Sequence, residues 1–207
     1  MDKAQKIQRY REANRTALKG QILFAGSSLM EMFPVEKLLR ERGVDVTVYN
    51  RGVGGFVIAE MMASLDVCVT DLMPRRLFIN IGTNDLSDPA VTPEILAERY
   101  DGILTAIEQA VPGVEILLMA YYPINYEAAA DFMKPCLRIR TNEKIQRANA
   151  LVEELARRHG QRYIDVNRAL RDDQGRLRAE FTIEGMHIRE EGYRAIMDDL
   201  LPFVTQP

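Results

Sequence analysis

Five short runs of apolar residues recur along the chain, each followed by a longer segment with helical spacing, and this alternation limits the fold more than any other feature. The runs are 22–25, 46–49, 77–81, 114–120 and 162–166. A strand with one wet face alternates apolar and polar residues. A run that stays apolar belongs to a strand covered on both faces, as in a parallel sheet. Segments 35–42, 57–72, 93–110, 141–159 and 189–203 carry the helical period, and 3–18 adds a helix before the first strand. Strand and helix in strict turn predict five parallel strands with helices on both faces, a three-layer α/β/α arrangement. No repeat, low-complexity tract or linker divides the 207 residues, so a single domain over 1–207 is expected, with an extra N-terminal helix at about 3–18.

Composition removes several function classes. A net charge of −3 gives no electrostatic footprint for nucleic acid or an anionic membrane. No apolar run reaches membrane-spanning length, and the charged start Met1-Asp2-Lys3 leads into no signal-peptide core, which points to the cytoplasm. Cys68 and Cys136 are neither grouped with histidines nor spaced as metal ligands, and free thiols are expected. No His/Cys/Asp/Glu grouping has zinc or magnesium spacing, so neither metal nor organic cofactor is expected.

The informative residues lie in four turns. The first strand run ends in Gly26-Ser27-Ser28, straight before a helical pattern, which delivers a hydroxyl to the sheet's rim at a helix N-terminus. Asn50-Arg51-Gly52-Val53-Gly54-Gly55, Gly82-Thr83-Asn84-Asp85 and Glu184-Gly185-Met186-His187 follow in order. Ligands of open sheets bind outside the carboxyl ends of the strands, where these turns would meet. A serine hydroxyl is a poor nucleophile until an imidazole takes its proton, and the tetrahedral intermediate then needs preorganised donors for its oxyanion.

These four turns, in this order and spanning positions 26 to 187, resemble the four sequence blocks of the SGNH, or GDSL, hydrolases. The resemblance implies a flavodoxin-like sheet and hydrolysis of esters or thioesters by acyl transfer through a serine. It implies Ser28 as nucleophile, His187 as base, and Ser28, Gly55 and Asn84 as oxyanion donors. Two positions depart from the family pattern: Ser27 replaces the usual Asp of the first block, and Glu184 replaces the usual Asp three residues before the histidine. Glu184 is taken as the acid that orients His187, its added methylene absorbed by a different rotamer or a shifted loop; otherwise a backbone carbonyl orients the ring.

Each residue also has a structural use. Ser27 suits a helix cap, Gly52 and Gly54 a tight turn, and Asp85 a loop held through backbone N–H groups. His159, in Arg157-Arg158-His159-Gly160, reads as a cation at a helix end. An α/β-hydrolase elbow would need glycine where Met30 stands, and its serine would come later in the sheet. The alternative from another class is a non-catalytic flavodoxin-like module binding a small molecule or nucleotide, but neither phosphate-binding glycine motif is present. The expected substrate is a small-molecule ester with a short acyl or acetyl group, on a sugar or lysophospholipid. Leu29, Met30, Met32, Phe33, Phe56, Tyr121, Tyr122 and Tyr126 are the residues able to line its pocket, although such residues at strand ends more often fill local core. An exposed helix at 3–18 is the element that would pair two chains in a homodimer.

Overall fold

Successive side chains of a strand point to opposite faces, and in the three central strands of this protein both faces are buried. The computed structural model describes residues 1–206. Its strands are β1 (Ile22–Gly26), β2 (Val48–Asn50), β3 (Arg76–Asn80), β4 (Glu115–Met119) and β5 (Arg162–Ile164). They form one sheet of order β2-β1-β3-β4-β5 with every neighbouring pair parallel, the flavodoxin-like order. The helices are α1 (Lys3–Asn14), α2 (Ser28–Glu31), α3 (Val35–Glu41), α4 (Ile58–Ala63), α5 (Leu65–Cys68), α6 (Pro93–Ala110), α7 (Lys134–Ile139), α8 (Asn142–Arg158) and α9 (Glu190–Thr205).

Leu23, Ala25, Leu77, Ile79, Ile116 and Leu118 project into one core, shared with α4, α5, α6 and α8. Ile22, Phe24, Phe78, Leu117 and Met119 project into the other, shared with α2, α3 and α9. That division explains the unbroken apolar runs: consecutive residues serve different cores. Phe24 stacks on Phe78 with ring centroids 4.4 Å apart, which locks β1 to β3 beneath the rim. No helix of the described residues is long and apolar enough to cross a membrane.

The structure shortens or splits several expected elements. The first helix ends at Asn14 rather than near 18. Asn-Arg-Thr is a weak helix sequence, and Leu18 gives its N–H to the Tyr49 hydroxyl at 2.9 Å instead. The expected helix 57–72 breaks at Ser64 (φ −123°) and Val69 (φ −141°), leaving α4, α5 and a single 3₁₀ turn, Thr70–Leu72. Serine and β-branched valine both lower the cost of leaving the helix there. The long connection 123–135 runs into a helix that the periodicity does not reveal, α7, with a proline in its first turn. Both cysteines are free, and burial pushes the Cys68 thiol up to about 12.

His159 ends α8 far from the marked turns and joins two carboxylates, Glu108 and Asp101, at 2.9 Å each. Burial opposes its protonation, but the hydrogen bonds to Glu108 and Asp101 outweigh it and hold the pKa above the ordinary value. The stabilisation is therefore complete below the unfolded-state pKa near 6.5 and is lost as pH rises through the higher folded-state value. The urea midpoint of the wild type is expected to fall more between about pH 6 and pH 9 than that of His159→Gln. Equal falls in the two proteins would remove His159 as the cause.

Candidate active site

The first turn is shaped by close packing of β1 against β3. A Cβ on Gly26 would lie 2.1 Å from the Asn80 carbonyl oxygen, so only glycine lets the chain pass. Ser27 follows in the N-cap position of α2, buried, but its hydroxyl makes no capping bond, contrary to the cap reading. Ser28 opens α2, and the helix is pinned by Tyr193 of α9 in the same layer, whose hydroxyl donates to the Leu29 carbonyl at 2.6 Å.

The late turn is closed by an antiparallel bridge between Thr182 and Ile188. Within it, Ile183 N–H donates to the His187 carbonyl at 2.9 Å and Gly185 N–H to the Thr182 hydroxyl at 2.8 Å. Asn125 N–H, from the 123–135 connection, donates to the Gly185 carbonyl at 2.8 Å. This closure folds Glu184 back onto His187. One carboxylate oxygen, Oε1, accepts the His187 backbone N–H at 3.1 Å and lies 2.7 Å from Nδ1 of the ring. His187 Nε2 lies 2.9 Å from Ser28 Oγ. A carboxylate only accepts, so Nδ1 carries the ring proton and Nε2 is left to accept from the serine hydroxyl. The added methylene of Glu184 is used to reach round to the backbone and ring donors together.

The glycine-rich second turn is fastened on two sides. Asn50 Nδ2 donates to the Met30 carbonyl at 2.6 Å, and Gly54 N–H donates to Glu31 Oε2 at 2.6 Å, which ties the loop to α2. Tyr10 donates to the Gly52 carbonyl at 2.8 Å, and Lys6 pairs with Glu31 at 2.8 Å, which ties it to α1. Gly55 follows with φ +79°, a left-handed conformation that fixes glycine there on backbone grounds; a Cβ would meet only the Lys3 side chain. No acceptor among the described residues takes the N–H of Gly55 or of Ser28.

Asn84 presents its amide beside these groups. Nδ2 donates to the Phe56 carbonyl at 2.9 Å, and Oδ1 accepts from Arg140 at 2.8 Å, so one N–H of Nδ2 stays available. Asp85 does hold the loop through a backbone group: Oδ2 accepts the Ile58 N–H at 3.0 Å and Oδ1 meets Arg99 at 3.0 Å. The sequence did not single out Glu31 or Arg140. Each lacks a local motif, and each acts across a contact made only by the fold. Leu29, Met30, Phe33, Phe56, Tyr121 and Tyr122 are buried in the two cores, so they are packing residues rather than an open pocket wall. A hydroxyl, an imidazole, a carboxylate and three spare N–H donors lie on one rim, the set of groups that acyl transfer requires.

The model of the GDSL-like Lipase/Acylhydrolase family matches residues 32–195. Among curated proteins, none matches the sequence. A solved protein of Streptococcus pneumonia, named as a candidate platelet activating factor, is 28% identical with a TM-score of 0.87, covering 98% of this chain and 92% of its own. A GDSL-like lipase from Bacteroides thetaiotaomicron VPI-5482 is 20% identical with a TM-score of 0.75, covering 95% of each chain. An acetylxylan esterase from Geobacillus stearothermophilus is 16% identical with a TM-score of 0.67, covering 93% of this chain and 97% of its own. The last two share the fold.

Proposed function

We propose, for a chain that belongs to the GDSL-like Lipase/Acylhydrolase family and is a carboxylic ester hydrolase, an acyl transfer that runs through Ser28. The observation that carries this reading is the unbroken hydrogen-bond chain from Ser28 Oγ to His187 Nε2 at 2.9 Å and from Nδ1 to Glu184 at 2.7 Å. As Oγ attacks the ester carbonyl, His187 takes its proton, and Glu184 balances the imidazolium that forms. The oxyanion receives the backbone N–H groups of Ser28 and Gly55 and the free N–H of Asn84, each typically worth about 2.7–4 kcal/mol of transition-state stabilisation. His187 then returns the proton to the leaving alcohol. Water, activated by the same ring, releases the acid and restores Ser28.

The substrate we propose carries a short acyl group, acetyl above all, on a polar alcohol such as a sugar. The apolar residues nearest Ser28 are committed to the cores, which leaves little wall for a long chain. Each methylene left in water forgoes about 0.8 kcal/mol. A cavity of about 540 Å³, lined by none of Ser28, Gly55, Asn84, Glu184 and His187, opens beside the connection that hydrogen-bonds the Gly185 carbonyl; it would hold the alcohol part of a substrate rather than the reacting ester, with Tyr126, Glu127, Arg138, Gln146, Gln174 and Arg176 among its lining. Mixed donors and acceptors with one aromatic face suit hydroxyl-rich ligands better than a lipid tail. Across p-nitrophenyl esters, kcat/KM is expected to show no gain from acetyl to octanoyl, because the added methylenes find no wall, and acetylated sugars should be deacetylated. A value rising steadily to octanoyl, with no turnover of acetylated sugars, would replace this substrate class by a lysophospholipid or other long-chain ester.

A further inference from the structure

Arg140 sits between α7 and α8, 3% exposed, and its guanidinium is hydrogen-bonded only to neutral groups. Nε donates to Ser87 Oγ at 2.9 Å, Nη1 to Met186 Sδ at 2.8 Å and Nη2 to Asn84 Oδ1 at 2.8 Å. The carboxylate whose field reaches it, Asp85, is already bonded to Arg99 and the Ile58 N–H. Buried cations are normally paired, because removing a charge from water is expensive and neutral partners return only part of that cost. Burial draws this guanidinium down to about 10, which leaves it a cation at neutral pH. A cation kept at such expense, with one arm on Asn84 and another on the residue before His187, has a use beyond stability.

Resting on the reading of Asn84 as an oxyanion donor, we infer that Arg140 is the positioning residue of that donor, fixing which way the amide faces and strengthening its free N–H. Arg140 can only donate, so it forces the Asn84 oxygen toward itself and turns Nδ2 toward the Phe56 carbonyl and the substrate side. A charge-assisted bond to the amide oxygen draws density from nitrogen and makes the remaining N–H a stronger donor. The benefit appears only when negative charge develops on the ester oxygen, so it lowers the barrier without tightening the ground state. The Met186 contact adds a link to the base side, so the same side chain spaces oxyanion donor and imidazole.

The test is a double-mutant cycle between Arg140→Met and Asn84→Ala, read as kcat and KM on p-nitrophenyl acetate, with unfolding midpoints as a control for folding. Arg140→Met is expected to lower kcat about 10- to 100-fold with KM little changed, as for the loss of a hydrogen bond to a charged group. Asn84→Ala should cost on the order of 10²- to 10³-fold, and adding Arg140→Met to it should cost less than about threefold more. Arg140→Lys, which keeps the charge but not the fork, should fall between wild type and Arg140→Met, and it replaces Arg140→Met in the cycle if the latter does not fold. An unchanged kcat in both Arg140 variants, or equal losses with and without Asn84, overturns the inference and leaves the acyl-transfer reading standing. Asn84→Ala with near-wild-type kcat, while Ser28 still takes a covalent label, overturns the donor role of Asn84 itself and with it the inference.

Discussion

Replacing Ser28 with alanine is expected to lower ester turnover on the order of 10⁶-fold, the cost of deleting the nucleophile of a serine hydrolase, while the protein stays folded. The large effect follows from what is lost: without Oγ no acyl-enzyme can form, and the reaction falls back on water held near the remaining donors. Those donors survive the change, because Ser28 offers a backbone N–H that alanine also carries, so a residual 10³- to 10⁴-fold advantage over water is the expected floor. Stability should barely change, since Ser28 only opens the four-residue helix α2, and alanine is a good helix former. Fluorophosphonate should inactivate the wild type with its adduct on Ser28, and Ser28→Ala should take no label. Ser27→Ala is the control, because Ser27 is buried one residue away and touches neither His187 nor Glu184. An adduct on Ser27, or a Ser28→Ala variant within about 100-fold of wild type, would sink the assignment.

The sheet was legible in the sequence because burial on both faces leaves a direct mark. Leu23 and Phe24 serve different cores, so both must be apolar, and the run shows no alternation. Helix ends and breaks were less legible. The apolar spacing through 57–72 persists across Ser64 and Val69, because Met61, Val67, Val69 and Leu72 all stay in the first core although the backbone leaves the helix between them. At the site, Glu184 and His187 were readable because a three-residue spacing is a local geometry that one turn can close. Glu31 and Arg140 were not: their contacts with Gly54 and Asn84 span 23 and 56 residues, and no local pattern encodes such a meeting. The residues after Ser28 were ambiguous for a third reason, since Leu29 and Met30 have the same apolar character whether they line a pocket or fill a core. Chemistry confined to one turn is written locally, and chemistry assembled between loops is written only in the fold.

Glu184→Gln is the second large effect, a loss in kcat approaching about 10⁴-fold. The size comes from two linked losses at one carboxylate, of charge and of tautomer. Glu184 Oε1 accepts both the His187 Nδ1 proton, at 2.7 Å, and the His187 backbone N–H, at 3.1 Å. An amide can satisfy the backbone donor through its oxygen, so the turn should hold, aided by the Thr182–Ile188 bridge that does not depend on the carboxylate. The amide cannot, however, balance the imidazolium. If its NH₂ turns to the ring instead, it holds the proton on Nε2, where it would block acceptance from Ser28. His187→Ala should be at least as damaging, and joining it to Glu184→Gln should add little, because residues that act as a unit are strongly non-additive. Glu184→Asp separates position from charge. It keeps the carboxylate but withdraws it by one methylene from two donors that Glu184 reaches only by folding back, so activity should fall between wild type and Glu184→Gln. Steady-state kcat across pH, with circular dichroism to show an intact fold, decides the matter. A Glu184→Gln enzyme with near-wild-type kcat and an unchanged pH profile would make this a Ser28–His187 dyad oriented by another group, with Glu184 reduced to a loop residue that caps the His187 N–H.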